Sequence, residues 1–200
     1  MFLGVLIVMT ASLSPPLDQN QSSLKAVKQS AELYLISTEG QLKIHTAPYR
    51  GSFSGVLSEA MRAAGLGSQV VIAQFLKGGV EQGPNNSTKL CGNLDWLRPD
   101  IPCCITNKKN DLDKETASIT IKAINEIWEI CKTHLFDSNI DQLLLDEIGL
   151  AISLGFLDEK EVISTLEQRP NGIDITLTGP SIPPSVMKMA DQVTELRSGN

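Results

Sequence analysis

The chain has 200 residues, of which 42% are hydrophobic, and it carries a formal net charge of −6 at pH 7. This length suits one domain, or one domain with a tail, and the apolar fraction is sufficient for a packed core. The acidic balance argues against a nucleic-acid or anionic-membrane surface as partner. Four cysteines without C-x-x-C spacing and two histidines argue against zinc, and they favour reduced thiols in a cytoplasmic protein.

The first 30 residues are expected to form a leader or linker, outside an α/β domain that spans residues 31–200. Residues 2–9 are apolar, but a bilayer span needs roughly 20 such residues, and no basic residue precedes them as in a secretory signal. A short strand, a disordered leader and a misplaced start codon stay open for this stretch. Residues 12–23 have the proline and polar content of a linker.

Residues 41–67, QLKIHTAPYRGSFSGVLSEAMRAAGLG, predict a strand, a tight loop and a helix. Residues 42–45 are β-prone, and a proline and a glycine mark residues 46–54 as a loop. Apolar residues then recur at helical spacing. Such a unit frames a phosphate-binding loop, because backbone N–H groups and the positive end of the helix dipole meet at one point.

The loop residues depart from the Walker pattern G-x-x-x-x-G-K-[ST]. Thr46 stands in place of the first glycine, whereas Gly51 is retained. Ser52 replaces the lysine, and Phe53 replaces the hydroxyl that would hold magnesium. Arg50 could supply part of the lost charge through its forked donors, or it could be an ordinary solvated loop residue.

The rest of the chain alternates between predicted strands and helices. Residues 32–37 predict a strand that pairs antiparallel with residues 41–46 through a hairpin turn. Residues 69–76 predict a buried parallel strand, and residues 114–135 predict the longest helix. Further strands are expected at 103–106, 142–145, 173–177 and 192–196, with helices opening at Asp158 and Pro184. This alternation predicts the α/β class, a mostly parallel sheet flanked by helices.

Two acidic residues, Asp146 and Glu147, follow the buried run at 142–145 and have the form of a Walker B element. The aspartate would hold magnesium, and the glutamate would orient a water or a polar ligand. Lys77 follows the strand at 69–76 and would reach the same carboxyl edge of the sheet, where open α/β sheets bind ligands. The alternative is that the acidic pair caps a helix or forms a solvated turn.

Three other candidates carry weaker signals. Cys103 and Cys104 could form a redox or soft-metal site, but adjacent cysteines rarely form an unstrained disulfide, so spectator thiols are favoured. His45 is expected to pack in or beside its strand, and His134 to cap or flank a helix end. Neither histidine has a serine or cysteine partner that would identify a catalytic triad.

Several blocks in order resemble one family, the P-loop corrinoid adenosyltransferases, which act on cob(I)alamin or cob(I)yrinic acid a,c-diamide. They are HTAPYRGSFSGVLSEAMRAAGLG, VVIAQFLKGG, LLLDEIGLAISLGFLDEKEVISTLEQRP, ITLTGP and ADQVTELR. The resemblance covers residues 42–197 apart from 80–114, and the segment at 145–170 is the most telling part.

The resemblance implies a RecA-like P-loop fold and a homodimer. It also implies a reaction of cobalamin biosynthesis, in which the 5′-deoxyadenosyl group of ATP passes to a cobalt(I) corrinoid and triphosphate is released. Mg²⁺ would accompany ATP, and a flavoprotein could supply the reductant. Since cobalt is the nucleophile, the protein must bind triphosphate, aim the 5′ carbon and exclude water.

Carried over residue by residue, the resemblance assigns Asp146 and Glu147 to Mg²⁺. The nucleotide-binding positions it implies are Thr46, Arg50, Gly51, Ser52, Phe53, Ser54, Lys77, Thr178 and Gly179.

The departures from the family pattern all fall in the site. Ser54 could supply the hydroxyl that Phe53 lacks, whereas Pro180 stands where the family has arginine. The aromatic-rich loop of the family is not recognisable at 101–113. A second reading is therefore a non-catalytic paralogue that binds a corrinoid, another ligand or a protein partner. A third, a general P-loop ATPase, is disfavoured by the missing lysine.

Overall fold

The computed structural model describes residues 39–51, 53–79 and 81–197. The strands are β1 (Leu42–Thr46), β2 (Val70–Gln74), β3 (Thr88–Leu90), β4 (Leu94–Leu97), β5 (Gln142–Asp146), β6 (Asp174–Thr178) and β7 (Gln192–Glu195). The α-helices are α1 (Ser54–Gly65), α2 (Lys114–Phe136), α3 (Ile148–Ser153), α4 (Glu159–Glu167) and α5 (Pro184–Met187).

The strands form one sheet in the order β3-β4-β2-β5-β6-β1-β7. Every pairing is parallel except that between β3 and β4. The predicted α/β class with a mostly parallel sheet is confirmed, and the arrangement is consistent with a RecA-like P-loop fold. The carboxyl ends of β2, β5, β6 and β1 lie at one edge, called here the carboxyl edge.

The two faces of the sheet are covered differently. Alternate residues such as Leu42 and Ile44 point to a face covered by α2 to α5, where Trp128 of α2 packs edge-on against Phe75. On the other face α1 covers β2, β4 and β5 through Ala60 and Ala64. The predicted apolar stripe of α2 is therefore core, as the helical spacing indicated.

The N-terminal cap of α4 matches its prediction only in part. Asp158 accepts a hydrogen bond from the backbone N–H of Glu161 at 2.9 Å, as predicted for an N-cap. The Glu161 carboxylate, however, accepts from Trp128 Nε1 at 3.0 Å and from Lys132 Nζ at 2.6 Å. The expected capping box is thus half formed, because α2 supplies donors for the glutamate.

Two predicted strands do not match the structure. Strand β1 pairs in parallel with β6 on one edge and β7 on the other, so the expected antiparallel neighbour for β1 is wrong. The segment proposed for that neighbour, residues 32–37, lies outside the described residues, as does the leader at 1–30. Residues 103–106 form no strand, since the N–H of Ile105 bonds outside any ladder to the carbonyl of Leu76.

Among the residues that the structure describes, no helix is both long and apolar enough to cross a membrane.

Candidate functional site at the carboxyl edge

The loop between β1 and α1 keeps the frame of a phosphate-binding loop but not its polar residues. Gly51 has a φ of +89°, a conformation that favours glycine. Phe53 is buried, with 3% of its surface exposed, and Ser54 is exposed at the start of α1. Phe53 occupies the N-cap position of α1, and its side chain makes no capping hydrogen bond. The position of the missing lysine, Ser52, lies outside the described residues.

Asp146 at the end of β5 is the centre of the site and is only 1% exposed. Its Oδ1 accepts from Thr178 Oγ1 at 2.6 Å, and its Oδ2 accepts from Gln74 Nε2 at 2.7 Å and Lys77 Nζ at 2.9 Å. Gln74 lies opposite Asp146 in the parallel register of β2 and β5. The sheet order therefore brings these donors to one carboxylate.

Gln74 was not predicted as a site residue, although a glutamine in a buried apolar run is itself a signal. Its Oε1 accepts from Trp96 Nε1 and from Arg98 Nε, each at 2.9 Å. These two donors set the orientation of the amide, because only its NH₂ group can then face Asp146. Trp96 and Arg98 thus act on Asp146 through Gln74.

Glu147 follows Asp146 with a φ of +60°, in the left-handed region. Its N–H donates to Thr178 Oγ1 at 3.1 Å, so the Thr178 hydroxyl links the two acidic residues. Gly179 directly follows Thr178 and has a φ of +124°. A Cβ added at Gly179 would lie 2.9 Å from Glu147 Cα. The backbone of the acidic pair therefore requires a glycine at position 179.

Arg50 reaches from the β1–α1 loop to the Glu147 carboxylate. Its Nε and Nη2 donate to Oε1 and Oε2, each at 2.8 Å, in a forked pair. Nη1 donates to the carbonyl of Ile105, and Nη2 also reaches the carbonyl of Leu76 at 3.4 Å. The hydrogen bond to Glu147 raises the pKa of Arg50. The interpretation of Arg50 as a solvated loop arginine is wrong.

Arg50, Lys77, Asp146 and Glu147 are called here the carboxylate–cation cluster. The carboxylate side chains are each 2% exposed, whereas Arg50 is 29% and Lys77 31% exposed. Each cation therefore lies between a buried carboxylate and solvent. The interpretation of the acidic pair as a solvated turn is also wrong, since both carboxylates are buried and paired with cations. Glu147 does stand at the N-cap position of α3, but its side chain makes no capping hydrogen bond there.

Of the other predicted residues, Cys104 lies near Arg50, and it adds to the rise in the pKa of that arginine, after the hydrogen bond to Glu147. Thr46 is the last residue of β1 and pairs with Glu195 of β7. His45 is half-buried on the sheet face near Glu59, and its pKa is lowered chiefly by burial. The free thiols of Cys103 and Cys104 are exposed.

A family model described as ATP:corrinoid adenosyltransferase BtuR/CobO/CobP matches residues 38–199. The chain belongs to this family. The resemblance drawn from the sequence is thereby confirmed, and with it the class of protein, a transferase family that uses ATP and a corrinoid substrate.

Curated relatives agree with this family assignment. A corrinoid adenosyltransferase from Escherichia coli (strain K12) is 27% identical over 90% of this chain and 89% of its own length. The protein from Salmonella typhimurium is 28% identical over 79% of this chain and 76% of its own. One from Pseudomonas aeruginosa is 25% identical over 78% and 74%. The match therefore spans most of each protein, and not only the loop and strand of the site.

Proposed function

We propose that this chain transfers the 5′-deoxyadenosyl group of ATP to a cobalt(I) corrinoid. The observation that carries the proposal is the carboxylate–cation cluster, which gathers Arg50, Lys77, Asp146 and Glu147 beside the β1–α1 loop. Burying two carboxylates is costly unless they are paired and hydrogen-bonded. Because the chain belongs to a transferase family and pairs both buried carboxylates, the cluster supports a functional site over one that has lost its activity.

In the proposed reaction, the electron pair of cobalt(I) forms a bond to C5′ of ATP. The C5′–O5′ bond breaks, its electron pair leaves with triphosphate, and cobalt becomes formally cobalt(III). No protein group has to take up a proton in this step. The residues of this chain therefore bind, orient and exclude water. Lys77 offers positive charge for the phosphates, and Arg50 holds the Glu147 carboxylate in place. Gly51, Ser54, Thr178 and Gly179 lie in or beside the loops at the same edge.

The resemblance pairs ATP with Mg²⁺, which Asp146 and Glu147 would hold. A carboxylate oxygen has two lone pairs. Each Glu147 oxygen accepts one hydrogen bond from Arg50, and Asp146 Oδ1 accepts one from Thr178, so these three oxygens keep a lone pair for a metal. Mg²⁺ beside a nucleotide takes one or two carboxylates together with water and phosphate oxygens. The acidic pair therefore fits Mg²⁺, which would neutralise phosphate charge, and no step of the proposed reaction is assigned to the metal.

The family also guides the proposed cellular setting. We infer a homodimer in the cytoplasm, served by a flavoprotein reductant, because cobalt(I) must be generated and protected before transfer. We retain the division into a leader at 1–30 and a P-loop-like domain at 31–200.

One observation favours a second candidate, a paralogue that binds a corrinoid or another ligand without transfer. The Arg50 guanidinium makes four hydrogen bonds to Glu147 and to backbone carbonyls, and Phe53 is buried where a polar residue is expected. Such a protein would bind a corrinoid without binding ATP.

An anaerobic titration separates the two candidates. ATP with Mg²⁺ is added with and without a reduced corrinoid, and calorimetry and the absorbance change of cobalt–carbon bond formation are recorded. We expect ATP binding and an adenosylcorrinoid product. Lys77→Met should lower the transfer rate by about tenfold or more, the loss of one charge-assisted contact. Lys122→Met, at an 81% exposed lysine on α2, is the matched control. Corrinoid binding with no ATP binding at millimolar concentration would favour the paralogue.

A further inference from the structure

We propose that Trp96 and Arg98 are positioning residues that fix Asp146 through Gln74, so that Oδ1 is the aspartate oxygen left to bind Mg²⁺. This inference rests on the proposed function, because it concerns the same site. It adds residues to that site, since the family resemblance assigned no role to Gln74, Trp96 or Arg98.

The orientation of the Gln74 amide is fixed from both of its ends. Gln74 is 2% exposed, and both lone pairs of its Oε1 are used, by Trp96 Nε1 and by Arg98 Nε, each at 2.9 Å. Turning the amide over would place its NH₂ group against these two donors and its oxygen against the Asp146 carboxylate. Because unsatisfied buried polar groups are costly, the NH₂ group stays on Asp146, at 2.7 Å.

Trp96 and Arg98 reach Gln74 from the neighbouring strand. Trp96 lies opposite Ile72 in the parallel register of β2 and β4, and Gln74 is two residues beyond Ile72. Side chains two residues apart share a face of a sheet, so Trp96, Gln74 and Arg98 lie on the face that α1 covers. The Arg98 guanidinium lies 5.6 Å from the centre of the Trp96 ring. This cation–π contact holds the two donors against each other.

The donors on Asp146 decide which of its oxygens a metal can use. Oδ2 accepts from Gln74 Nε2 at 2.7 Å and from Lys77 Nζ at 2.9 Å, so both of its lone pairs are used. Among the described residues, Oδ1 accepts from Thr178 Oγ1 alone, at 2.6 Å, and keeps its second lone pair. Without the Gln74 amide, the carboxylate could rotate and offer either oxygen.

This orientation matters for Mg²⁺ in particular, because that ion demands near-ideal octahedral geometry. Partners that hold a metal-binding side chain in place typically contribute about 10- to 100-fold to metal affinity. Trp96 and Arg98 should therefore affect the part of ATP affinity that depends on the metal. A merely structural role would instead lower ATP affinity equally with and without Mg²⁺.

The test is calorimetric titration of the full chain with ATP, once in excess EDTA and once in millimolar Mg²⁺. The gain in affinity from EDTA to Mg²⁺ measures the metal-dependent part, and we expect the unsubstituted chain to bind more tightly in Mg²⁺. Trp96→Phe removes the indole N–H and keeps an aromatic ring. It should reduce the gain by about tenfold and leave the affinity in EDTA nearly unchanged.

Trp128→Phe is the matched control. Trp128 Nε1 donates to Glu161 Oε1 at 3.0 Å on the other face of the sheet, so this variant also loses one indole hydrogen bond. It should leave the gain from Mg²⁺ unchanged. Arg98→Met should reduce the gain as Trp96→Phe does, whatever the lost charge does to affinity in both buffers. Arg98→Lys keeps a donor for Gln74 and should restore part of the gain.

The outcomes keep this inference and the proposed function apart. Equal losses of affinity in the two buffers for Trp96→Phe would overturn the inference, as would an unsubstituted chain that gains nothing from Mg²⁺. Formation of adenosylcorrinoid alongside either result leaves the proposed function standing.

If the unsubstituted chain binds no ATP in either buffer, the proposed enzyme is removed, and Mn²⁺ alone then decides the inference. Paramagnetic broadening of the Gln74 side-chain amide signal by Mn²⁺, lost in Trp96→Phe, would support it. Broadening that persists in Trp96→Phe, or that is absent from both proteins, would overturn it.

Discussion

At the amino edge of the sheet, three aspartates each accept a hydrogen bond from a backbone N–H at the start of a neighbouring strand. Asp141 accepts from Gln69 at 2.8 Å, Asp174 accepts from Gln41 at 2.8 Å, and Asp191 accepts from Leu42 at 2.7 Å. Their side chains remain at least partly in water. These carboxylates complete the hydrogen bonding of the sheet, and two of them also form ion pairs, Asp174 with Lys43 at 3.5 Å and Asp191 with Arg169 at 3.8 Å.

At the carboxyl edge the carboxylates of Asp146 and Glu147 are buried, and most of their partners are long side chains. Backbone donors at the amino edge cannot move without unfolding a strand. Lysine can move by rotating its own bonds. The comparison teaches that aspartate closes the sheet through backbone donors at one edge and gathers charged and polar side chains at the other.

The largest expected difference between the edges is in stability. Asp146→Asn places an amide NH₂ among donors and leaves Lys77 unpaired. We expect it to lower the free energy of unfolding by about 2–4 kcal/mol. Asp141→Asn keeps a carbonyl acceptor for the Gln69 N–H and should cost less than about 1 kcal/mol. Chemical denaturation at pH 7 measures both, and equal losses would contradict the comparison.

Much of the framework of the site could be predicted from the sequence, because it depends on local patterns. The loop between β1 and α1 is marked by Pro48 and Gly51, and β5 by an apolar run that ends in Asp146. Periodicity and burial act over a few residues, so they can be read without the fold.

The partners of the acidic pair could not be predicted in this way. Arg50 and Glu147 are 97 residues apart in sequence. Trp96 reaches Gln74 only because β4 lies beside β2, and that order is set by sheet topology. The β3–β4 hairpin escaped prediction for another reason: β3 is short and mostly exposed, so it has no hydrophobic alternation to detect.

A second difference between the edges is how much room each leaves for a Cβ atom at a glycine. Gly67, before β2, and Gly179, after β6, both have positive φ, +107° and +124°. An added Cβ meets nothing within 4 Å at Gly67, but lies 2.9 Å from Glu147 Cα at Gly179.

Alanine substitution at these two glycines should therefore have unequal effects. Gly67→Ala should cost about 1 kcal/mol from backbone strain alone. Gly179→Ala should cost about 1–2 kcal/mol more, since the backbone of the acidic pair must shift. It should also weaken ATP binding, which Gly67→Ala should not. Thermal unfolding and calorimetry test both variants. Equal losses of stability would show that the Glu147 backbone shifts at little cost.

The smallest expected effect is the contribution of His45, on β1, to the pH dependence of the unfolding free energy. This histidine lines a cavity of about 60 Å³ between the sheet and α1, together with Lys43 and Glu59. Burial lowers its pKa below the ordinary 6.5, Glu59 raises it, and Lys43 lowers it further. The native state therefore favours neutral imidazole.

The sign of the pH effect follows from that preference. Below pH 6.5 the unfolded chain binds a proton that native His45 takes up only at lower pH, so stability falls as the pH falls through this window. His45→Gln should flatten the fall in unfolding free energy between pH 7 and pH 5, with His134→Gln on α2 as the control. Because His45 is only half-buried, the change is smaller than those at Asp146 and Gly179. A slope unaltered by His45→Gln would mean that the carboxylates alone carry the acid sensitivity.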